Sequence, residues 1–359
     1  MSEKKGNENL RRLGAALGQR FLNERCVVLG GAGFLGSHLC EALLREGATV
    51  LAVDNLCTSS FRNLGAIPQT LIGKLTFKEV DISNGYNLKS LIEEWAAKVG
   101  WKEEWVERPR PAVNYLFNLA SPASPPVYER LWEETIKVNT QGVFWALKAM
   151  GSSSVYVHAS TSEVYGEPEI VPTPESYFGK VDPTSPRSVY DEAKRLGETI
   201  ISQWARKESR GDQVRIARIF NTYGPRMSLE DGRVVPSMIK AVLRGENLPI
   251  FGTGEQTRSF CYVDDLIEGL LRLTLSDAGP GPVNLGASQE TTMRQLAKEI
   301  SRQAGGVGVA TVTRPLPRSD PSRRCPDLTR AKAVLQGWEA TVSLEDGLHR
   351  TIEWARGER

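Results

Sequence analysis

The chain lacks a cysteine pattern. Its five cysteines, Cys26, Cys40, Cys57, Cys261 and Cys325, are odd in number and scattered. No spacing matches a metal knuckle or a disulfide framework, so no metal site is expected and a reduced, cytoplasmic setting fits. Charge excess is also missing. Lys+Arg total 45 against Asp+Glu 43, a formal +2. That balance carries no footprint for nucleic acid. No apolar run approaches the roughly 20 residues of a membrane span. The first residues contain neither a signal-peptide core nor a cleavage site, and residues 1–23 read as a flexible arm. There is no internal repeat and no low-complexity linker.

What is present is alternation. Short apolar runs at 26–29, 49–53, 75–79, 114–119, 155–159 and 214–219 alternate with helical patterns at 35–45, 88–99, 132–150 and 189–207. Strands separated by helices predict an α/β fold, a doubly wound parallel sheet covered on both faces. Past residue 220 the alternation loosens and proline, glycine and arginine become frequent. The expected organisation is a dinucleotide-binding Rossmann-like domain over 24–220. A smaller substrate-binding lobe follows over 221–359, with some segments packing back on the first domain.

Gly30-Gly31-Ala32-Gly33-Phe34-Leu35-Gly36 follows the first strand and opens the first helix. Gly30, Gly33 and Gly36 permit a tight turn and close backbone approach, which sets a pyrophosphate at a helix N-terminus. Asp54, with Asn55 beside it, ends the second strand, where a carboxylate accepts from the adenosine ribose and disfavours a 2′-phosphate. NAD is therefore expected over NADP, although Arg62 downstream is able to accommodate a phosphate. Asp81 and Ile82, after the third strand, fall near the adenine.

Two further groups carry the chemistry. Thr161-Ser162-Glu163 ends one strand, and Tyr190-x-x-x-Lys194 begins the next long helix. A tyrosine and lysine four apart share a helix face. The lysine charge favours ionisation of the phenol, so Tyr190 is a candidate base, with Thr161 orienting a substrate alcohol. The expected reaction class begins with hydride removal from a secondary alcohol.

With Leu119-Ala120-Ser121-Pro122-Ala123-Ser124-Pro125-Pro126, Pro186-Arg187-Ser188-Val189-Tyr190, Asn221-Thr222-Tyr223-Gly224-Pro225-Arg226 and Pro321-Ser322-Arg323-Arg324, these motifs resemble the extended short-chain dehydrogenase/reductases. Within that family the chain is most similar to the UDP-glucuronate decarboxylases. It departs from their pattern at Leu29, at Asn118 and in a longer segment from 84 to 111, which reads as a full crossover helix.

The resemblance implies a sequence of steps. Tyr190 takes the C4 hydroxyl proton and hydride leaves C4 for NAD. The resulting β-keto acid loses carbon dioxide, C5 is protonated and C4 is re-reduced. Leu119 and Ala120 would border the cofactor, and Ser121, Pro122 and Ala123 the sugar. Ser162, Glu163 and Arg324 would meet the reacting end, with Arg324 as a carboxylate clamp. Asn221, Arg226, Arg233, Gln256, Arg258 and Tyr262 would hold the nucleotide, arginines being suited to a diphosphate. Tyr262 reads equally as a core residue. Serine at 162 removes the acid that a 4,6-dehydratase needs. A 4-epimerase of a uronic acid nucleotide and a non-catalytic NAD-binding regulator remain as alternatives. Apolar residues on two helices, Val143, Phe144, Leu147, Ile200 and Trp204, lead to the expectation of a homodimer.

Overall fold

A computed structural model describes residues 18–84, 87–100, 111–305, 311–315 and 321–358. Most of the N-terminal arm, the tryptophans at 101 and 105 and residue 320 lie outside the described residues. The arm's last residues are not loose. Phe21 is fully buried, and its ring meets Tyr115 edge-on at 5.0 Å. Packing therefore begins before residue 24.

In chain order the main elements are β1 (Arg25–Leu29), α1 (Phe34–Arg45), β2 (Thr49–Asp54), β3 (Leu75–Glu79), α2 (Leu88–Lys98) and β4 (Tyr115–Asn118). They continue with α3 (Trp132–Lys148), β5 (Val155–Thr161), α4 (Ser188–Lys207), β6 (Val214–Ile219), α5 (Val263–Leu275) and β7 (Pro282–Leu285). The strands form one seven-stranded sheet in the order β7-β6-β5-β4-β1-β2-β3, every pair parallel. This is the doubly wound order, and it reverses direction between β1 and β4.

Side chains alternate across the strands, so each strand feeds two cores. Val28, Ala52, Phe117, Val157 and Ala217 face the layer that holds α1 and α5. Leu29, Leu51, Leu116, Tyr156 and Ile216 face the layer that holds α2, α3 and α4. In α2 the residues Leu88, Leu91, Ile92, Trp95 and Ala96 are buried. The long segment after 84 thus supplies the crossover helix between β3 and β4.

Sequence periodicity puts the first domain at 24–220 with some later segments packing back on it, and β7 is one such segment: it pairs with β6 through Val283 opposite Ala217. Both strand and helix of that last unit lie beyond the expected boundary. The remaining C-terminal elements are short. A three-stranded ribbon aligns Arg324 with Arg258 and brings the chain back over the carboxyl ends of the main strands. No helix among the described residues is long and apolar enough to cross a membrane.

Candidate active site

The cofactor end is shaped by backbone. Gly30 has φ +77° and ends β1. A Cβ there would lie 2.8 Å from the backbone N of Ala120, so the β1 and β4 ends touch where the sheet reverses. At Gly36 a Cβ would sit 2.0 Å from the Gly30 carbonyl oxygen. Gly33 is the N-cap of α1 and no side chain caps that helix among the described residues. Its first-turn N–H groups thereby suit an anion, with Phe34 and Leu35 half-buried around them.

Asp54 accepts from Ala32 N at 3.0 Å, from Leu56 N at 2.9 Å and from Ser59 Oγ at 2.8 Å. Only one of these bonds falls on Oδ2, and a carboxylate oxygen takes two. A ribose hydroxyl thus finds an acceptor there. Asn55 Oδ1 is used by Cys57 N, and Asp81 holds Ser83 through its backbone N–H and its hydroxyl. Arg62 pairs with Glu358 at 3.1 Å. Leu119 N donates to Leu29 O at 2.9 Å, which closes the β1–β4 seam.

At the other end, β5 delivers Thr161, and a single 3-10 turn over Ser162–Tyr165 swings Glu163 into the cleft. Glu163 N donates to Thr161 Oγ1 at 3.2 Å. The α4 helix presents Tyr190 and Lys194 on one face, with Lys194 Nζ 5.7 Å from the Tyr190 ring centre. Tyr128, from the short helix Pro125–Arg130 that begins within the Ser-Pro-Ala-Ser-Pro-Pro run, stacks on Tyr190 with ring centres 5.0 Å apart and planes 5° apart. Ser121 Oγ accepts from Asn139 Nδ2 at 2.9 Å, while Pro122 is buried and Ala123 exposed beside it.

The expected help from the lysine to the phenol meets a buried setting. Lys194 Nζ donates to Ala159 O at 2.8 Å. Burial pushes its ammonium down to about 7, with Glu198 opposing. Burial also pushes the Tyr190 phenol above its ordinary value, against the hydrogen bond with Thr161. A lysine only part-charged near neutrality lowers the phenol less than a fully charged one.

Glu163 lies between two guanidinium groups. Arg324 engages both carboxylate oxygens through Nη1 and Nη2, and Arg187 Nη2 donates to Oε2 at 2.6 Å. Burial pushes the carboxyl up, but Arg324 and Arg187 outweigh it and hold it at about 2. Arg187 was not picked out from the sequence as a site residue. Its signal was available: it lies three residues before Tyr190, at the N-cap of α4. Asp191, the next residue after Tyr190, was also passed over.

Several residues assigned to the nucleotide from sequence have protein partners in the structure. Arg226 pairs with Glu41 and donates to Ser37 O, tying the second lobe to α1. Arg258 is buried and donates to the carbonyls of Pro321 at 2.5 Å, Thr257 at 2.8 Å and Ser322 at 3.4 Å, so it buttresses the strand that carries Arg324. Gln256 Nε2 donates to Phe251 O at 2.8 Å. Tyr262 belongs to the core, edge-on to Tyr223 at 5.8 Å with Arg350 over its ring. Arg233 is gripped by both oxygens of Asp231 and lies near enough to feel Tyr190 and Glu163. That places it toward the reacting end. Asn221 stays half-buried at the carboxyl edge of β6. No cluster of metal ligands occurs among the described residues.

A family model described as "NAD dependent epimerase/dehydratase family" matches residues 26–286. The chain belongs to that family. NAD is its cofactor, and the uncapped α1 turn, the glycine contacts and the open acceptor on Asp54 fit it. Among relatives, the chain is 41% identical to UDP-glucuronic acid decarboxylase 1 of Xenopus tropicalis over 346 residues, covering 94% of this chain and 75% of the relative. It is 42% identical to UDP-glucuronic acid decarboxylase 5 of Arabidopsis thaliana, covering 91% of this chain and 87% of that one. A solved UDP-glucuronic acid 4-epimerase from Bacillus cereus, in complex with UDP-glucuronic acid and NAD, superposes with a TM-score of 0.77. It is 26% identical and is covered over 93% of this chain and 100% of its own.

Proposed function

We propose that this family member converts UDP-glucuronate to UDP-xylose, retaining NAD through a cycle with no net redox change. The carrying observation is the Glu163 carboxylate held by Arg324 and Arg187 beside Thr161 and Tyr190. A sugar carboxylate placed next to Glu163 is repelled by it unless cations intervene, and two are present. The curated relatives at about 40% identity share this activity by name.

When bound, NAD supplies the hydride acceptor and, in its oxidised form, a positive charge. The protein's own groups then divide the work. Thr161 orients the C4 hydroxyl and Tyr190 accepts its proton, with Lys194 beneath. Carbon–carbon cleavage needs no acid at C6, which agrees with serine at 162. The electron pair passes into the C4 ketone, and the hydroxyls of Tyr190 and Thr161 are donors for the enolate oxygen. Arg324 and Arg187 hold the carboxylate until it leaves.

The working unit in this proposal is a homodimer joined through α3 and α4, in a reduced cytoplasm consistent with five free cysteines. The NAD-binding unit, which takes α5 and β7 from beyond residue 220, and the rest of 221–359 enclose the sugar nucleotide between them. Incubating the purified protein with UDP-glucuronate and following products by NMR tests the reaction. UDP-xylose with carbon dioxide is expected. The C4 epimer alone would identify an epimerase, and unchanged substrate with retained NAD binding a regulator.

A further inference from the structure

The overall reaction leaves one proton unaccounted for. A carboxylate departs as carbon dioxide and C5 gains a hydrogen, while the proton that Tyr190 removes from the C4 hydroxyl returns to that oxygen. One further proton must therefore reach C5 in each turnover. Resting on the decarboxylase reading above, we propose that Asp191 holds that proton in the substrate complex and releases it as C5 is protonated.

Asp191 lies on α4 directly after Tyr190 and is only 5% exposed. Its Oδ1 is buried and has no hydrogen-bond partner. A buried, unpartnered carboxylate oxygen is costly, and protonation removes that cost. The groups around it come from several elements. Glu163 enters from the 3-10 turn, Arg324 from the C-terminal ribbon and Tyr128 from the short helix before α3. Glu192 and Tyr190 lie on its own helix, and Arg187 caps that helix. Burial pushes its carboxyl up and Glu163 pushes it further. Arg187 and Arg324 oppose this, and the balance stands at about 7. At neutral pH the group is poised to hold or release a proton.

Charge balance supports the same assignment. With Asp191 neutral, the guanidiniums of Arg187 and Arg324 face two negative groups, Glu163 and the substrate carboxylate. Cleavage of C5–C6 releases carbon dioxide and leaves its electron pair in the enolate. The new C5–H bond then forms with the proton released by Asp191, and the enolate returns to a ketone. The same two guanidiniums now face Glu163 and ionised Asp191, so the net charge of the cluster is unchanged. Water restores the proton after product leaves. An ionised Asp191 at the outset would instead put two carboxylates against the incoming one. Asp191 sets the charge balance of the Arg187, Arg324 and Glu163 cluster and is therefore a positioning residue.

The test compares wild type with Asp191→Asn and Asp191→Glu. Wild-type conversion of UDP-glucuronate is measured first. No carbon dioxide there removes the decarboxylase reading itself, separately from this inference. Binding of UDP-glucuronate and UDP-glucose is then measured by calorimetry across neutral pH. In wild type the affinity ratio favouring the uronate should fall as pH rises through about 7, by at most about tenfold per pH unit. Lys194 affects both sugars alike and cancels in this ratio. Asp191→Asn should keep tight uronate binding without the pH slope. It should lose about tenfold or more in turnover and accumulate NADH absorbance, because re-reduction waits for C5 protonation. Asp191→Glu should recover the slope. Overturning results are wild-type turnover in Asp191→Asn, or a turnover loss in which the pH slope persists and no NADH accumulates. Absence of the slope from wild type also overturns it.

Discussion

Tyr190 stands between opposing influences. Burial raises its phenol, while Thr161 and the field of Arg233 lower it. Its ring is held independently of its hydroxyl by the stack on Tyr128. Tyr190→Phe should therefore preserve packing and NAD affinity within about twofold while turnover falls about 10²- to 10⁴-fold. Initial rates and calorimetry check this, and turnover near wild type would remove Tyr190 as base. Arg324 invites a second substitution. In Arg324→Ala, Glu163 keeps Arg187 alone, and UDP-glucuronate should lose at least about tenfold more affinity than UDP-glucose, about 1.4 kcal/mol. Equal losses for the two ligands would reduce Arg324 to a general phosphate or structural contact. Glu163 also sets an acid limit on stability. Its folded pKa is depressed, so the pairing stabilises fully above the ordinary carboxylate range and is lost as pH falls toward about 2.

At the scale of the element, α3 and α4 are divided between two duties. Val143, Leu147 and Ile200 are buried against the protein's own sheet, and Trp204 packs on the same cluster. Those four of the residues assigned to a subunit contact from sequence pack within the chain, while the fifth, Phe144, is open: Trp132 is 54%, Phe144 50% and Leu196 49% exposed, with Ile136 at 40%. Exposed large apolar groups on neighbouring helices suit a self-complementary two-fold contact. Phe144→Glu should convert a dimer into a monomer by light scattering at micromolar concentration. A monomeric wild type would refute the proposed contact. Along the sheet, Leu29 and Asn118 show how element ends absorb departures from the family pattern. Leu29 is simply buried, while Asn118 Nδ2 donates to the Tyr156 hydroxyl at 3.0 Å.

Across the whole molecule, cofactor choice depends on contacts far apart in sequence. Asp54 is fixed at the end of β2 by three donors, and Arg62 is turned toward Glu358 near the C-terminus. That ion pair is exposed and worth little, so the preference rests on Asp54. NAD at about a hundredfold excess over its Kd should add about 2.7 kcal/mol to stability. NADP at the same concentration should raise the thermal midpoint less. An equal or greater shift with NADP would mean that Arg62 outweighs Asp54.

Local pattern alone was enough to place β1 to β6, the glycine turn, Asp54, the Thr161 turn and the Tyr190/Lys194 face. Apolar periodicity and turn chemistry act within a few residues, and each of these features is local. Other features were settled only by tertiary structure. The seventh strand is a four-residue segment whose partner, β6, lies some sixty residues earlier, and no local period marks it. Arg226, Arg258 and Tyr262 have side chains suited to a ligand, yet the fold gives them Glu41, the 321–322 backbone and the Tyr223 ring. Lys194 and Asp191 carry ordinary titrating groups in sequence. Burial shifts both toward neutrality, because the cost of a charge depends on surroundings that chain order does not contain.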